Sequence, residues 1–302
     1  MSNWQSRLSA LPFGLYEKAL PQELGWEERL LQARSAGFDF LEMSIDDTDP
    51  RIARLEWGEK QRAVVRHAAA NTGVPIRSLS LSAHRRFPLG SKDPATRRRG
   101  MEIFDRAIDL ALDLDLRVML LSGAENYYEG RDKDSQALFL ESMGVAFERA
   151  SGAGLMLALE NWDIQIDSLT KVMEYVEYFN SPWYQAYADI GNLIYAGMSS
   201  EEMLEELEAA RGHIAALHVK DTLPGQLRYI KPGEGAVPFV EAFAKIAEIG
   251  YQGPVVLELW TEKFPNALDL VKEGANFIKE KMQVGWQLDE QRRQAEGEMA
   301  KL

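Results

Sequence analysis

Short apolar runs and amphipathic stretches alternate along nearly the whole chain. The apolar runs have the length of β-strands, and most are followed by a stretch in which apolar residues recur at helical spacing. The predicted strands are Pro12–Tyr16, Phe38–Ser44, Ile76–Ser82, Arg117–Ser122, Leu155–Asn161, Tyr184–Asp189, Ile214–Val219 and Val255–Leu259. The predicted helices are Trp26–Ala36, Trp57–Asn71, Arg97–Leu114, Asp134–Ala150, Ser168–Phe179, Ser200–Arg211, Pro238–Ile249 and Ala267–Lys281. Gly73 and Gly250 follow helix ends, where a left-handed cap is expected.

Eight strand–helix pairs without a linker rich in proline, glycine or serine are typical of a (β/α)8 TIM barrel. We therefore predict an α/β fold with one barrel domain over residues 1–282. An open doubly wound sheet competes with this prediction, but no GxGxxG or P-loop sequence follows the first strand. Residues 283–302 are predicted to be a charged helical tail, and the sequence leaves open whether the tail is exposed or forms an interface.

The last four predicted strands each end on or near a side chain that can bind a metal. These side chains are Glu160, Asp189, His218 and Glu258. A buried charge must be paired or bound to a metal, and the C-terminal strand ends of a barrel face one pocket. Each residue by itself is better explained as a salt-bridge partner, but four in matched positions predict one divalent metal site. Three carboxylates and one imidazole suit Mn²⁺, Mg²⁺, Co²⁺ or Zn²⁺.

The composition narrows the function classes. The net charge is −13, and such a surface repels a phosphate backbone, so no nucleic-acid partner is expected. The sequence shows no apolar run of roughly 18 residues that would predict a membrane span, and its N-terminus does not resemble a secretory signal. Zero cysteines exclude disulfides, thiolate catalysis and cysteine-bound zinc. A cytoplasmic location is expected.

Several longer strings resemble a known family. The strings LALEN, YADIGN, LHVKD and VLELW, in this order and spacing, are similar to those of xylose-isomerase-like barrels, which include endonuclease IV. Within that superfamily the chain resembles the L-ribulose-5-phosphate (L-xylulose-5-phosphate) 3-epimerases, a group also called hexulose-6-phosphate isomerases. The supporting strings are FGLYEKALP, FLEMSIDD, SLSAHRRFPLGS, YYEG, NSPWYQAYADIGN and HVKDTLPGQLRYIKPGEG. The resemblance covers nearly all of residues 12–282.

The resemblance implies a reaction and roles for the four strand-end residues. It implies that all four hold one divalent ion, and that Glu160 and Glu258 also move protons. The reaction implied is epimerisation at C3 of a ketose phosphate through a cis-enediolate. Such a step needs proton-transfer groups on opposite faces of the enediolate and a Lewis acid for the developing charge.

Substrate-binding residues are also suggested. The loop after the third strand places His84, Arg85 and Arg86 before a Gly-Ser pair, which would suit a phosphate group, although a basic surface loop would look the same. Arg228 is a candidate clamp for a substrate oxygen. Epimerases of free ketoses typically carry a histidine three positions after the metal aspartate. Here Asn192 stands at that position, which favours a phosphorylated substrate.

Seven other residues near the strand ends have roles that the sequence leaves open. They are candidates for supporting groups, pocket lining, loop caps or packing: Glu17, Glu42, Trp162, Lys220, Asp221, Glu234 and Trp260.

Several other functions compete with this interpretation. One alternative is an aldose–ketose isomerase acting on a hexulose phosphate, but a hydride-shift enzyme would need a second metal cluster, and the chain has four histidines. Another is a 3-epimerase of an unphosphorylated ketose. A DNA-repair nuclease would need a basic groove, which the acidic charge opposes. A pure sugar-binding protein would not need two opposed carboxylates. The expected partner is a small sugar phosphate, and the oligomeric state, a homo-oligomer included, stays open.

Overall fold

The computed structural model of the protein describes residues 3–127, 133–162 and 165–299. Most of the YYEG string and the last three residues of the predicted tail lie outside the described residues. Eight parallel strands form a closed barrel in chain order, with β8 paired to β1. The strands are β1 Phe13–Tyr16, β2 Phe40–Ile45, β3 Ile76–Leu81, β4 Val118–Leu121, β5 Met156–Glu160, β6 Tyr184–Asp189, β7 Ile214–Val219 and β8 Val255–Leu257. The predicted TIM barrel is confirmed.

Helices surround the barrel and cover its strands. They are α1 Asn3–Ser9, α2 Trp26–Ser35, α3 Asp49–Ile52, α4 Glu59–Thr72, α5 Pro94–Asp113, α6 Lys133–Gly152, α7 Leu169–Phe179, α8 Ile190–Tyr195, α9 Ser200–Ala209, α10 Phe239–Glu248 and α11 Ala267–Met299. Because helices pack outside and side chains fill the inside, most strand positions are buried, which explains their nearly continuous apolar sequences. Helices α1, α3 and α8 were not predicted, since each is too short to show a helical period.

The N-terminal end of the barrel interior is filled by the ring of Phe40. A Cβ atom at Gly14 would lie 2.3 Å from that ring, so the small residue on β1 makes room for the large one on β2. This packing makes the barrel a filled core rather than a channel.

A buried acid follows β1 and joins three segments of the N-terminal half. Glu17 is fully buried, and its carboxylate binds the guanidinium groups of Arg29, Arg51 and Arg54. It also accepts a hydrogen bond of 2.8 Å from the backbone N–H of Ser44. Glu17 is thus a structural centre that fixes the loop after β1 and the end of β2.

The C-terminal helix continues without interruption across the predicted boundary at residue 282. Trp286 is 1% exposed, and its ring lies 6.3 Å from that of Phe243 on α10. Asp289 is also buried and pairs with Arg7 of α1 at 3.2 Å and with Arg293 at 2.9 Å. This part of α11 therefore packs on the barrel's outer helices. Within the described residues, no helix has both the length and the apolar character needed to cross a bilayer.

Candidate metal and catalytic site

The four strand-end residues predicted as metal ligands lie together at the C-terminal end of the barrel. Glu160 and Asp189 are the last residues of β5 and β6, His218 is the last but one of β7, and Glu258 directly follows β8. Asp189 and His218 are register partners. One ligand atom from each residue lies within 4.8 Å of the other three, and all four residues are buried. The parallel order of the strands produces this convergence, because it carries all their C-terminal ends to one rim.

His218 turns its Nδ1 atom toward the three acids. Nδ1 lies 3.1 Å from Oε1 of Glu160, 3.5 Å from Oε2 of Glu258 and 3.8 Å from Oδ2 of Asp189. Burial alone would lower the pKa of His218, but Glu42 and Glu160 raise it well above its usual value. The ring is therefore held by negative charge on both sides.

Lys220 places a cation among the same acids. Its Nζ lies 2.8 Å from Oδ2 of Asp189 and 2.7 Å from Oε2 of Glu258, and its side chain is 3% exposed. Within the described residues this ammonium is the group that satisfies Oδ2 of Asp189, because that buried oxygen accepts no other hydrogen bond. The donor set fits a divalent ion, which would compete with the Lys220 ammonium for two of its carboxylates.

The two glutamates of the cluster have different environments. Burial and the nearby charge of Asp189 raise the pKa of Glu160, against the lowering effect of His218. Burial would also raise the pKa of Glu258, but the Lys220 ammonium and His218 hold it at about 2. The two carboxyl groups therefore differ in proton affinity.

Glu42 is one of the residues whose role the sequence left open. The structure places it within β2 and fully buried. Nε2 of His218 donates to its Oε1 at 2.7 Å. The hydroxyls of Ser78 and Tyr187 each donate to its Oε2 at 2.6 Å. The available signal was a lone acid in the otherwise apolar strand FLEMSI.

Two asparagines hold the ends of β5 and β6 together. Asn161 donates from Nδ2 to the carbonyl oxygen of Asp189 at 2.9 Å, and its Oδ1 accepts from the backbone N–H of Asp189 at 2.8 Å. Asn192 donates from Nδ2 to the carbonyl oxygen of Asn161 at 2.9 Å. Its backbone N–H donates to Oδ1 of Asp189, which caps α8. Asn192 thereby contacts Asp189 directly and the end of β5 through Asn161.

A small inner pocket opens above the cluster. It is lined by Tyr16, Lys18, Ser80, Ser82, Arg85, Glu160, Trp162, His218, Lys220, Glu258 and Trp260. The guanidinium of Arg85 lies 4.7 Å from the ring centre of Trp162. Its buried Nε has no hydrogen-bond partner within the described residues. Arg85 therefore has a free donor beside the pocket.

The other two basic residues of the same loop lie elsewhere. Nε2 of His84 donates to the carbonyl oxygen of Gly100 at 3.1 Å, and the ring stacks on Phe104 at 5.3 Å. Burial lowers the pKa of His84 to about 4, so its ring is neutral at pH 7, and we assign it a packing role instead of contact with phosphate. Arg86 pairs with the exposed Asp49 at 2.6 Å and does not line the inner pocket.

Beside the inner pocket lies an outer cleft of about 580 Å³, a size common for small-molecule sites. Arg85, Lys18 and Trp260 line both cavities, and Arg228 lines the outer one. The guanidinium of Arg228 lies 3.9 Å from the ring centre of Trp260. Lys18 pairs with Asp46 at 2.5 Å. Three cationic groups therefore line the outer cleft, and one of them is already paired with an acid.

The loop after β7 is organised by Asp221. Its carboxylate accepts backbone N–H hydrogen bonds from Gly233 at 2.8 Å, Gly235 at 2.9 Å and Val237 at 3.3 Å. A Cβ atom at Gly235 would lie 2.1 Å from Oδ1 of Asp221, so this close approach requires glycine. Glu234 instead points outward and is 65% exposed. Asp221 thus shapes the loop that carries the outer cleft's arginine.

Comparisons with known proteins agree with the fold. The family model of the xylose isomerase-like TIM barrel matches residues 30–281. The L-ribulose-5-phosphate 3-epimerase UlaE of Salmonella paratyphi C (strain RKS4594) is 43% identical over 273 residues, which cover 90% of this chain and 95% of that protein. The corresponding protein of Salmonella choleraesuis (strain SC-B67) is also 43% identical over 273 residues, with the same coverage of both chains.

Solved structures give the same architecture. An L-ribulose 3-epimerase has a TM-score of 0.73 at 20% identity, over 95% of this chain and 97% of that chain. A D-psicose 3-epimerase from Clostridium cellulolyticum H10, solved with D-tagatose, has a TM-score of 0.71 at 17% identity, over 93% and 98% of the two chains. At this identity the likeness shows the fold alone. The family match and the 43% identity confirm the resemblance seen in the sequence, and the chain belongs to the xylose isomerase-like TIM barrel family and, within it, to the family of the L-ribulose-5-phosphate 3-epimerases.

Proposed function

We propose that the protein is a metal-dependent 3-epimerase of a ketose phosphate of the L-ribulose 5-phosphate and L-xylulose 5-phosphate type. One observation carries the proposal: two glutamates, from β5 and from the end of β8, share one buried ligand cluster with Asp189 and His218. The relatives at 43% identity carry the name of this activity. Arg85 and Arg228 in the outer cleft support an anionic substrate, although the acids Glu23, Asp46, Asp47 and Glu262 line the same cleft.

Each residue of the cluster has a role in this proposal. Glu160, Asp189, His218 and Glu258 would hold the divalent ion, which when bound supplies Lewis acidity for the developing enediolate. Glu160 and Glu258 come from strands on different sides of the cluster, so one can remove the C3 proton while the other returns a proton to the opposite face. The direction of the reaction decides which glutamate is the base.

Arg85 and Arg228 are the proposed phosphate-binding residues. Both line the outer cleft, and each guanidinium lies over a tryptophan ring, which limits its movement. A planar guanidinium can donate two parallel hydrogen bonds to phosphate oxygens. Asn192 is proposed to act on substrate binding only indirectly, through the position of Asp189.

The experiment that tests this proposal locates deuterium after incubation in D₂O. The protein loaded with Mn²⁺ or Co²⁺ is incubated with L-ribulose 5-phosphate and, separately, with L-xylulose 5-phosphate, and each sugar is analysed by NMR. Deuterium at C3 together with interconversion of the two sugars is the expected result. Deuterium at C1 or C2 would indicate an aldose–ketose isomerase, and its absence from all carbons would indicate a binding protein.

Two controls make the result specific. Unphosphorylated L-ribulose tests the role of the phosphate group, and a hexulose 6-phosphate tests the length of the sugar. Equal rates with L-ribulose and its 5-phosphate would contradict the phosphate preference while leaving the epimerase assignment intact. A cytoplasmic location stays a prediction.

A further inference from the structure

Glu42 receives three hydrogen bonds inside the barrel and is not among the four ligands. It is 0% exposed, and it faces His218 from the side opposite the acid cluster. Ser78 and Tyr187 saturate its Oε2, which leaves Oε1 for the imidazole. Burying a carboxylate costs free energy, which the three donors offset only in part. Packing alone therefore gives no reason for an acid at this position.

The geometry of the ring explains the acid. A histidine can offer a lone pair to a metal from Nδ1 only while the remaining proton is on Nε2. A carboxylate at 2.7 Å from Nε2 requires that nitrogen to donate. The ring is further confined by Tyr187, edge-on at 4.8 Å between ring centres, and by Tyr16 at 5.7 Å. The contact with Glu42 therefore keeps a proton on Nε2, and the two tyrosine rings fix the orientation of the imidazole.

We propose that Glu42 is a positioning residue that holds the Nε2–H of His218 so that Nδ1 faces the metal, and that it strengthens metal binding without contacting the ion. This inference rests on the metal site of the proposed function. Carboxylates that accept a hydrogen bond from a metal-binding histidine orient the ring and increase its basicity, and their loss typically weakens metal binding by about 10- to 100-fold. Glu42 and His218 are 176 positions apart in sequence, which is why the chain alone did not reveal the pair.

The test measures metal affinity without substrate. Dissociation constants for Mn²⁺ and Co²⁺ are determined by competition with a chelating dye for the wild type and for Glu42→Gln, which keeps the shape and removes the charge. We expect binding to be weaker by about 10- to 100-fold. The visible spectrum of the Co²⁺-loaded protein gives a second readout, and we expect its ligand-field bands to shift in the variant.

Ser78→Ala is the matched control, since it removes one hydrogen bond to Oε2 and leaves the contact with His218 in place. We expect its Co²⁺ dissociation constant to stay within about threefold of the wild type. Should Glu42→Gln fail to fold, Glu42→Asp keeps the charge but is too short to reach Nε2, and the same weakening is expected.

The outcomes separate the two proposals. Equal metal affinity in the wild type and a folded Glu42 variant, with only a lower melting temperature of the metal-free variant, would mean a purely structural role and would overturn the inference. A wild-type protein that binds neither Mn²⁺ nor Co²⁺ would overturn the metal-dependent function and this inference together. Normal binding by the wild type without C3 exchange would overturn the epimerase assignment alone.

Discussion

Replacing Glu17 by glutamine should destabilise the barrel strongly, because it leaves three guanidinium groups without their buried counter-ion. Burial would raise the pKa of Glu17, but Arg54, Arg51 and Arg29 hold it at about 2, below its usual 4.5. This difference in pKa between the folded and unfolded states corresponds to roughly 3 kcal/mol of folding stability at pH 7. Removal of one partner from a buried ion pair typically costs about 3–5 kcal/mol, which is of the same size.

The loss can be measured as a change in melting temperature. The unfolding entropy of a chain of this length is about 0.6 kcal/mol/K near 60 °C, so a loss of roughly 3 kcal/mol lowers the Tm by about 5 °C. Differential scanning calorimetry of Glu17→Gln at pH 7 should show this decrease. The control is Glu59→Gln, whose side chain is 75% exposed and pairs with Arg66. A surface pair contributes at most about 1 kcal/mol, so its Tm should change by less than about 2 °C.

The pH dependence has a defined sign. Since the folded-state pKa of Glu17 is lowered, its stabilisation is present above pH 4.5 and is lost as the pH falls through 2. The Tm difference between wild type and Glu17→Gln should therefore shrink to less than about half between pH 6 and pH 3. A Glu17→Gln protein that melts within 1 °C of the wild type at pH 7 would refute the reasoning.

Four further predictions concern the site and the C-terminal helix. Glu258→Gln should abolish exchange of the C3 proton in D₂O, and wild-type exchange would contradict its role. Lys220→Met should bind Co²⁺ more tightly in the chelating-dye assay, because it removes the ammonium group that occupies two carboxylates of the cluster. Weaker binding would mean that Lys220 does not compete with the metal. A Cβ at Gly123 would lie 2.0 Å from the carbonyl oxygen of Glu160, so Gly123→Ala should displace Glu160 and lower kcat by about 100-fold. An unchanged kcat would mean that Glu160 is not displaced. Trp286→Ala should cost about 3–5 kcal/mol in urea unfolding, whereas a loss below 1 kcal/mol would indicate a loosely packed helix end.

The fold and the clustering of the four strand-end residues could be predicted because both depend on local pattern and on simple topology. Alternating strand and helix periods indicated eight repeated units, and a closed parallel barrel leaves one rim for all C-terminal strand ends. Glu160, Asp189, His218 and Glu258 each stand at or beside such an end. Their convergence needed no knowledge of distances, which is why the sequence sufficed.

Other features depended on contacts that no local pattern encodes. His84 is as basic in sequence as Arg85, yet its ring stacks on Phe104 while Arg85 lines the pocket. The pairing of Lys220 with two ligand carboxylates depends on side-chain rotation at the rim. Likewise, the burial of Trp286 depends on the position of α10, whose Phe243 it contacts. The helical period of 3.6 residues does not show which neighbouring helix will cover a given residue.

The sequence by itself determined the barrel, its active rim and the residue types available there, because strand and helix periods and strand-end acids are local properties of the chain. The tertiary structure alone decided that Glu42 faces His218, across 176 positions, and that Glu17 gathers three arginines. The physical reason is that a buried charge is stabilised only by the groups that surround it in space, and which groups those are depends on the closure of the whole barrel.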